Sequence, residues 1–434
     1  MEKKVLFQYS VVFSAVYFFS INGLAALPNL SISFLLKETL HLAPAQMAYF
    51  QAVTLLAWVV KPLWGIISDT VPLFGTRRQS YLIVTSCIAF FVWVVLAFAK
   101  SYTVGFLLGL ITVSYLAYAF QDVVSDGLMI EVGKPANLTG RFQSIQWASV
   151  YLAMVLTALS GGFVSDLARR GVIAYQAIFA ATAVFPFLTA LIAAAFVIEP
   201  SRTHLEAQAR MDLRAIFKSR ALWLLALFLF LWNFSPSFGA PFFYYSVDTL
   251  KFNGSFIGIL QAVTSASGFL GSLLFGQYID KIPIRKLLIF SVFAGVVMIL
   301  FNYLYFFPYL VAHLFVLKTI AFASNIVFGM VNVLIFLTLL NLAAKVSPEH
   351  AGGTVFAFLM AAFNLGQLGS NVLGGIFFPI LGLKPLIFIS ALFSLWALLL
   401  MPYLSVAEEL TAFEKTIKKG LHGLFAFLGF QNRR

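Results

Sequence analysis

Apolar runs of helical length, separated by short polar stretches, recur along the whole chain. About twelve can be laid down: 8 to 30, 45 to 67, 81 to 99, 102 to 130, 141 to 165, 172 to 198, 219 to 246, 254 to 278, 286 to 305, 308 to 341, 352 to 378 and 385 to 404. A helix needs about 20 mainly apolar residues to cross hydrocarbon. Each run therefore predicts a transmembrane helix and the chain an all-α membrane protein. The first run starts near Val5 and lacks a short apolar core followed by a small-residue cleavage site, so it is read as a true first helix and not as a signal peptide. Polar exceptions inside the runs carry the functional information. Helix 4 holds Asp122 and Asp126, and helix 10 holds Lys318. Charges at membrane depth are expensive and usually line a solute or proton path. A transporter is expected.

The runs divide into two halves. Gln51-Ala52-Val53-Thr54 recurs as Gln261-Ala262-Val263-Thr264, 210 residues later, and Asn22 and Asn233 are 211 apart in the first helix of each half. Each copy leads to a similar cluster: Gly65, Asp69, Arg77 and Arg78 in one, Gly276, Asp280, Arg285 and Lys286 in the other. Agreement between this repeat and the span order predicts an internal duplication, six helices plus six helices. The expected domains are 1-198, a cytoplasmic linker 199-218, 219-404, and a cytoplasmic tail 405-434. Leu205, Ala209, Leu213, Ile216 and Phe217 allow the linker a short helix on the membrane surface, the alternative being a solvated tether. In the tail, an apolar stripe from Leu410 to Leu428 with Lys415, Lys418 and Lys419 suits lipid head groups.

Composition sharpens this picture. With 61% hydrophobic, 17% aromatic and 10% charged residues, an ordinary soluble domain is excluded. The single cysteine, Cys87, excludes an intrachain disulfide and a thiol metal cluster, and without nearby His a metal at the acidic pair is not expected. The net charge of +12 could suggest nucleic acid, but the basic residues sit in short segments between apolar runs. Topology accounts for them: with both termini cytoplasmic, 21 Lys and Arg fall in inner segments and 6 in outer loops.

Asp122 and Asp126 are four residues apart and share one helix face. Like charges so close in a poor dielectric disfavour double ionisation, so the pair could carry a proton and exchange it as solute or cation arrives. The plainer alternative is that the pair bonds Arg141, Lys134 or helix 5 hydroxyls and holds the inner end together. Lys318 falls ten residues into helix 10, about 15 Å down, close to mid-membrane. A buried ammonium needs an anion, either a helix 4 acid or a carboxylated substrate. Helix 7 packs Asn233, Pro236, Gly239 and Pro241 into nine residues and should kink, exposing carbonyls at an outer gate or forming a static bend. Gly161, Gly162, Gly271, Gly374 and Gly375 should permit close helix contact.

Twelve spans, two halves and a Gly, Asp, Arg cluster between helices 2 and 3 resemble the major facilitator superfamily. Within it the chain resembles the folate-biopterin transporter family at Lys61-Pro62-Leu63-Trp64-Gly65, Ser68-Asp69, Val71-Pro72, Phe74-Gly75 and Arg77-Arg78. Asp122-Val123-Val124-Ser125-Asp126-Gly127 with Glu131, then Gly140-Arg141-Phe142-Gln143-Ser144 and Trp147, give the second signature. The resemblance implies a major-facilitator-like fold and a secondary active transporter of folate or pterin-like organic anions working by alternating access. Another organic anion, an amino acid or a drug-like aromatic solute is the alternative. It further implies that Asn22, Gln146, Asn233 and Asn325 line the cavity with Asp122, Asp126 and Lys318. An acid could then read the pterin while Lys318 receives the carboxylate tail; interhelical glue is the other reading of each amide. The superfamily's use of such clusters assigns Asp69, Arg77, Arg78, Asp280, Arg285 and Lys286 to gating, with Pro236 and Pro241. No nucleotide motif, His cluster or nucleophile elbow accompanies the helices, so an enzyme is not expected and neither is a cofactor. The expected partners are a folate or pterin, protons and lipid, not nucleic acid, in a monomer of a bacterial inner membrane.

Overall fold

The computed structural model describes residues 2–133, 138–198, 220–276, 282–346 and 352–400. The linker, the tail, Lys134 and Asp280 lie outside them, as does the side chain of Asp69. Among the described residues every regular element is a helix, apart from one isolated bridge between Leu73 and Thr76.

In the first half, α1 (Glu2–Ala15) runs on as a π-helical turn, Val16–Ser20. The crossing then breaks at Asn22, whose φ of 54° is left-handed, and at Gly23, where a Cβ would lie 2.1 Å from the carbonyl oxygen of Phe18. Helix α2 (Asn29–Phe34) and a second π-turn, Leu35–Thr39, complete it. There follow α3 (Pro44–Val59), α4 (Lys61–Thr70), α5 (Gln79–Phe98), α6 (Val104–Gly133), α7 (Thr139–Arg169) and α8 (Tyr175–Phe196). The second half repeats the device. Helix α9 (Arg220–Asn233) stops at the residue matching Asn22, the chain unwinds, and α10 (Gly239–Asp248) resumes. Then come α11 (Gly254–Gly276), α12 (Ile284–Phe301), α13 (Pro308–Ala312), α14 (Leu314–Val346), α15 (Gly352–Leu381), α16 (Leu383–Ser394) and α17 (Trp396–Leu400).

Ten described helical segments are long and apolar enough to cross a membrane, and Leu222–Asn233 and Leu383–Leu399 are shorter apolar helices. Large apolar side chains such as Phe91, Phe163 and Val297 stand exposed around the outside, as suits a chain solvated by lipid. Buried hydroxyls bond across helices instead, Ser31 to Ser165 at 2.8 Å and Ser20 to Thr189 at 2.8 Å. This is an all-α, multi-spanning membrane fold. We call the face at which α1 begins proximal and the face reached by Thr39 distal.

The two halves meet closely where side chains are missing. A Cβ on Gly162 of α7 would lie 2.6 Å from the Gly254 carbonyl oxygen, and one on Gly258 of α11 2.3 Å from that of Ala158. Gly375 of α15 faces the Tyr49 ring of α3, where a Cβ would come within 2.5 Å. Gly258→Leu is expected to force α7 and α11 apart and cost about 1–3 kcal/mol or more. Gly105→Ala, where a Cβ meets nothing within 4 Å, should stay within about 0.5 kcal/mol. Thermal unfolding of the two variants side by side in one detergent checks this.

Candidate functional site

The acidic pair of α6 sits beneath the first broken crossing. Tyr17, on the π-turn after α1, donates from its hydroxyl to Asp122 Oδ1 at 2.8 Å and to Asp126 Oδ1 at 3.0 Å. Lys61 Nζ ion-pairs with the other oxygen of Asp122, and both side chains are mostly buried, at 14% and 13% exposure. The same ammonium lies over the Trp58 ring, 4.6 Å from its centroid. Local sequence explains the placement. Val60 interrupts the crossing that began at Pro44, so Lys61 opens α4 within the apolar span instead of at its end. The π-turn adds a residue to the helical turn and re-aims Tyr17, a common device at functional sites. Asp122 lies eleven residues from the end of α6, roughly 16 Å from the proximal face. Around the pair, the Ser125 hydroxyl and the Gln121 carbonyl are buried without a partner among the described residues. The second half reaches this cluster too, through Asn364 Nδ2 bonding the Trp58 carbonyl at 3.3 Å. Two carboxylates thus face one ammonium, with one unit of charge left over.

A second feature lies at the other broken crossing. A cavity of about 610 Å³ opens beside the unwound segment between α9 and α10, walled by α9, α12, α14, α15 and α16. Its polar lining is uncharged: the amides of Asn233, Asn302, Asn332, Gln367 and Asn371, and several serines. Phe328, Phe336 and Phe363 supply apolar wall. Ser237 N–H donates to the Ser370 carbonyl at 2.9 Å, tying the unwound turn to α15. In membrane proteins built from internal repeats, discontinuous helices at corresponding positions point to a binding region.

The polar contacts at the two faces differ. At the distal face Asp166 of α7 caps α11: Oδ1 accepts from Gly254 N–H at 2.8 Å, and Oδ2 from Ser255 N–H at 2.8 Å and Ser255 Oγ at 2.6 Å. An anion at a helix N-terminus also meets the favourable end of the helix dipole. Lys37 pairs with Asp248 at 2.5 Å, and Tyr244 donates to the Leu42 carbonyl. Arg169 stiffens this region with a two-point contact to Glu38, at 2.7 and 2.8 Å. At the proximal face Arg78 spans from the turn after α4 to α6, donating to Glu131 at 2.8 Å and to Ser68 Oγ at 3.0 Å. Its guanidinium lies against Gly127, where a Cβ would come within 2.6 Å.

The expected site residues are dispersed. Asp122 and Asp126 do come together, and their partners among the described residues are Lys61 and Tyr17, not Arg141 or Lys318; Lys134 lies outside the described residues. The depth expected for Lys318 is corrected. His313 breaks the crossing after α13, so Lys318 is four residues into α14, roughly 6 Å from its distal end. Its ammonium lies 5.1 Å from the Phe256 ring centroid, and among the described residues no carboxylate is within salt-bridge distance. Asn325 ties α14 to α11, accepting from Thr264 at 2.7 Å and donating to Ala321 at 2.7 Å, the glue reading. Asn233 lines the cavity and donates to the Phe363 carbonyl at 3.2 Å. Asn22 is exposed at the first break, and Gln146 is buried with its Nε2 unpartnered among the described residues. Pro236 lies in the unwound turn and Pro241 is buried in α10. Arg77 lies 3.8 Å from Glu131, whereas Arg285 and Lys286 are exposed on the first turn of α12.

Lys61, Tyr17, Asp166 and the cavity serines escape a reading of the sequence. Lys61 had a signal, since it falls inside the apolar run 45 to 67 although it counts numerically among the inner basic residues. Tyr17 had none, being one aromatic among many.

A family model described as the BT1 family matches residues 22–410. A folate-biopterin transporter of Synechocystis sp. is 30% identical over 377 residues, covering 83% of this chain and 73% of that protein. Folate transporter 1 of Plasmodium falciparum is 24% identical over 372 residues, covering 82% and 70%. Among solved structures, a D-xylose-proton symporter superposes with a TM-score of 0.70 at 13% identity, covering 91% of this chain and 97% of that one. The nucleoside transporter NupG gives 0.66 at 16%, covering 93% and 98%. At those identities the structures speak for the fold alone, an all-α, multi-spanning membrane fold.

Proposed function

Because the chain belongs to the BT1 family, the folate-biopterin transporters within the major facilitator superfamily, we propose that it moves folate or pterin-like organic anions together with protons. It is an integral, multi-pass secondary-active transporter and not an enzyme. On this reading the chain crosses the membrane twelve times, as six-helix halves 1-198 and 219-404 that rock about the contacts of α7 with α11 and of α3 with α15. It works as a monomer in a bacterial inner membrane with both termini cytoplasmic, which makes the distal face external.

The observation that carries the reading is the cluster of Tyr17, Lys61, Asp122 and Asp126 at membrane depth. A proton delivered to Asp122 removes the charge that holds Lys61 and loosens α4 from α6. A proton leaving restores the pair. Because α4 leads into the turn bearing Arg77 and Arg78, the same event reaches the proximal contact with Glu131. Proton movement and gate movement are thereby linked through one short helix. The distal contacts of Asp166 and Lys37 form the opposite gate, with Pro236 and Pro241 shaping the crossing that presents Tyr244 and Asp248 to it.

Sealed vesicles carrying the purified chain, given an inward proton gradient and labelled folate or biopterin, test this directly. Uphill accumulation that collapses with a protonophore is expected. Binding without accumulation would make the protein a receptor and sink the proposal.

A further inference from the structure

We propose that the cavity in the second half binds an uncharged planar heterocycle, through alternating donors and acceptors along its edge, without reading a carboxylate tail. The proposal rests on the chain's being a carrier of such solutes and names the part of the solute this cavity takes.

Three observations converge. First, the cavity's volume, about 610 Å³, is within the ordinary range for small-molecule sites, and among the described residues no charged one lines it. A carboxylate placed there would be stripped of water with no counter-charge, which is costly. Second, the cavity wall presents polar groups. Asn332 and Gln367 stand exposed on the cavity wall and Asn371 is half-buried there, so their amides are open to a solute. Ser291 is fully buried, at 0% exposure, and its hydroxyl has no partner among the described residues. Buried polar atoms are nearly always bonded, so an orphan on a cavity wall points to something that fills the cavity. An amide offers one donor group and one acceptor on the same plane, so three of them match an edge that alternates the two. Third, Phe336 and Trp232 line the same space, and flat aromatic walls suit a flat ring.

Pterins and purine bases share this edge chemistry. The charged cluster on α4 and α6 lies in the other half, and Lys318 is absent from the cavity lining. Recognition of the ring and balancing of charge are therefore housed in different halves of the chain.

The test is isothermal titration of the purified full chain with biopterin, guanine, folate and para-aminobenzoylglutamate, the last being a folate tail without its ring. Asn371→Leu is expected to weaken biopterin and folate by the same factor, about tenfold or more, since it removes both a donor and an acceptor. Ser291→Ala, a milder change that keeps the packing, should weaken both about threefold. Thr319→Val, on α14 outside the cavity, should bind as wild type. Two results would overturn the proposal: wild-type affinity in both cavity variants, or a wild-type chain that binds the tail fragment but neither heterocycle. Failure of the transport reading looks different. A chain that binds biopterin through Asn371 and Ser291 yet never accumulates it keeps the cavity and loses the carrier. Proton-driven folate uptake that ignores both cavity variants keeps the carrier and loses the cavity.

Discussion

Lys61→Met is expected to reduce proton-driven uphill accumulation about a hundredfold, equivalent to about 2.7 kcal/mol. The reason is charge balance. Asp122 and Asp126 together face the single ammonium of Lys61, and Tyr17 bonds both acids. One proton can cancel the charge left over; with Met at position 61 two units remain, and no pair is left for the proton to break. Removing one partner of a buried ion pair also destabilises, typically by about 3–5 kcal/mol, so the single variant cannot by itself separate folding from coupling. The double variant Lys61→Met/Asp122→Asn does. It is expected to recover much of the melting temperature, because it returns the cluster to the wild-type surplus of one carboxylate, that of Asp126, and still fail to accumulate solute. Exchange of labelled for unlabelled solute, which needs no net proton, should survive in the double variant. A double variant that concentrates solute like wild type would show the pair to be structural only.

Asp166→Ala is expected to shift the balance between closed and open distal faces by about 1–2 kcal/mol, a factor of about 5–30. Three hydrogen bonds from one carboxylate hold the start of α11 against α7, and opening the distal face must break them. Their loss in the variant costs the closed state alone, because the N–H groups of Gly254 and Ser255 find water once exposed. Spin labels at Val172→Cys and Thr249→Cys, in a Cys87→Ser background, would report the separation of the halves. A longer-distance population should grow in Asp166→Ala. Unchanged distances would leave Asp166 a helix cap and nothing more.

Much of the fold was legible because lipid imposes a simple rule: backbone groups must bond internally, so length and hydropathy alone mark each crossing. The first and seventh expected helices both proved to be broken, at Asn22 and just after Asn233, the positions the internal repeat had paired. The acidic pair was legible because two carboxylates in an apolar run have no ordinary explanation. Its partners were not. Lys61 meets Asp122 across 61 residues of sequence, and Tyr17 meets it across 105. No local pattern encodes contacts of that range. Asp166 stands beside Arg169 and Arg170 in sequence, and only the fold brings Gly254 to it. Lys318 was placed too deep because Pro308–Ala312 reads as the start of a crossing, while the backbone at His313 turns out of the helix. The cavity was invisible for another reason: Ser291, Asn332 and Asn371 come from three different helices, and serine and asparagine are common helix glue.

The most direct test of the coupling claim runs the cycle backwards. Vesicles holding the purified chain and an internal pH dye, with no imposed proton gradient, receive an inward gradient of biopterin or folate. The account requires the interior to acidify in step with solute entry in wild type, and to stay level in Lys61→Met/Asp122→Asn while solute still equilibrates. Solute entry with no proton movement in wild type, or equal acidification in the double variant, would contradict it.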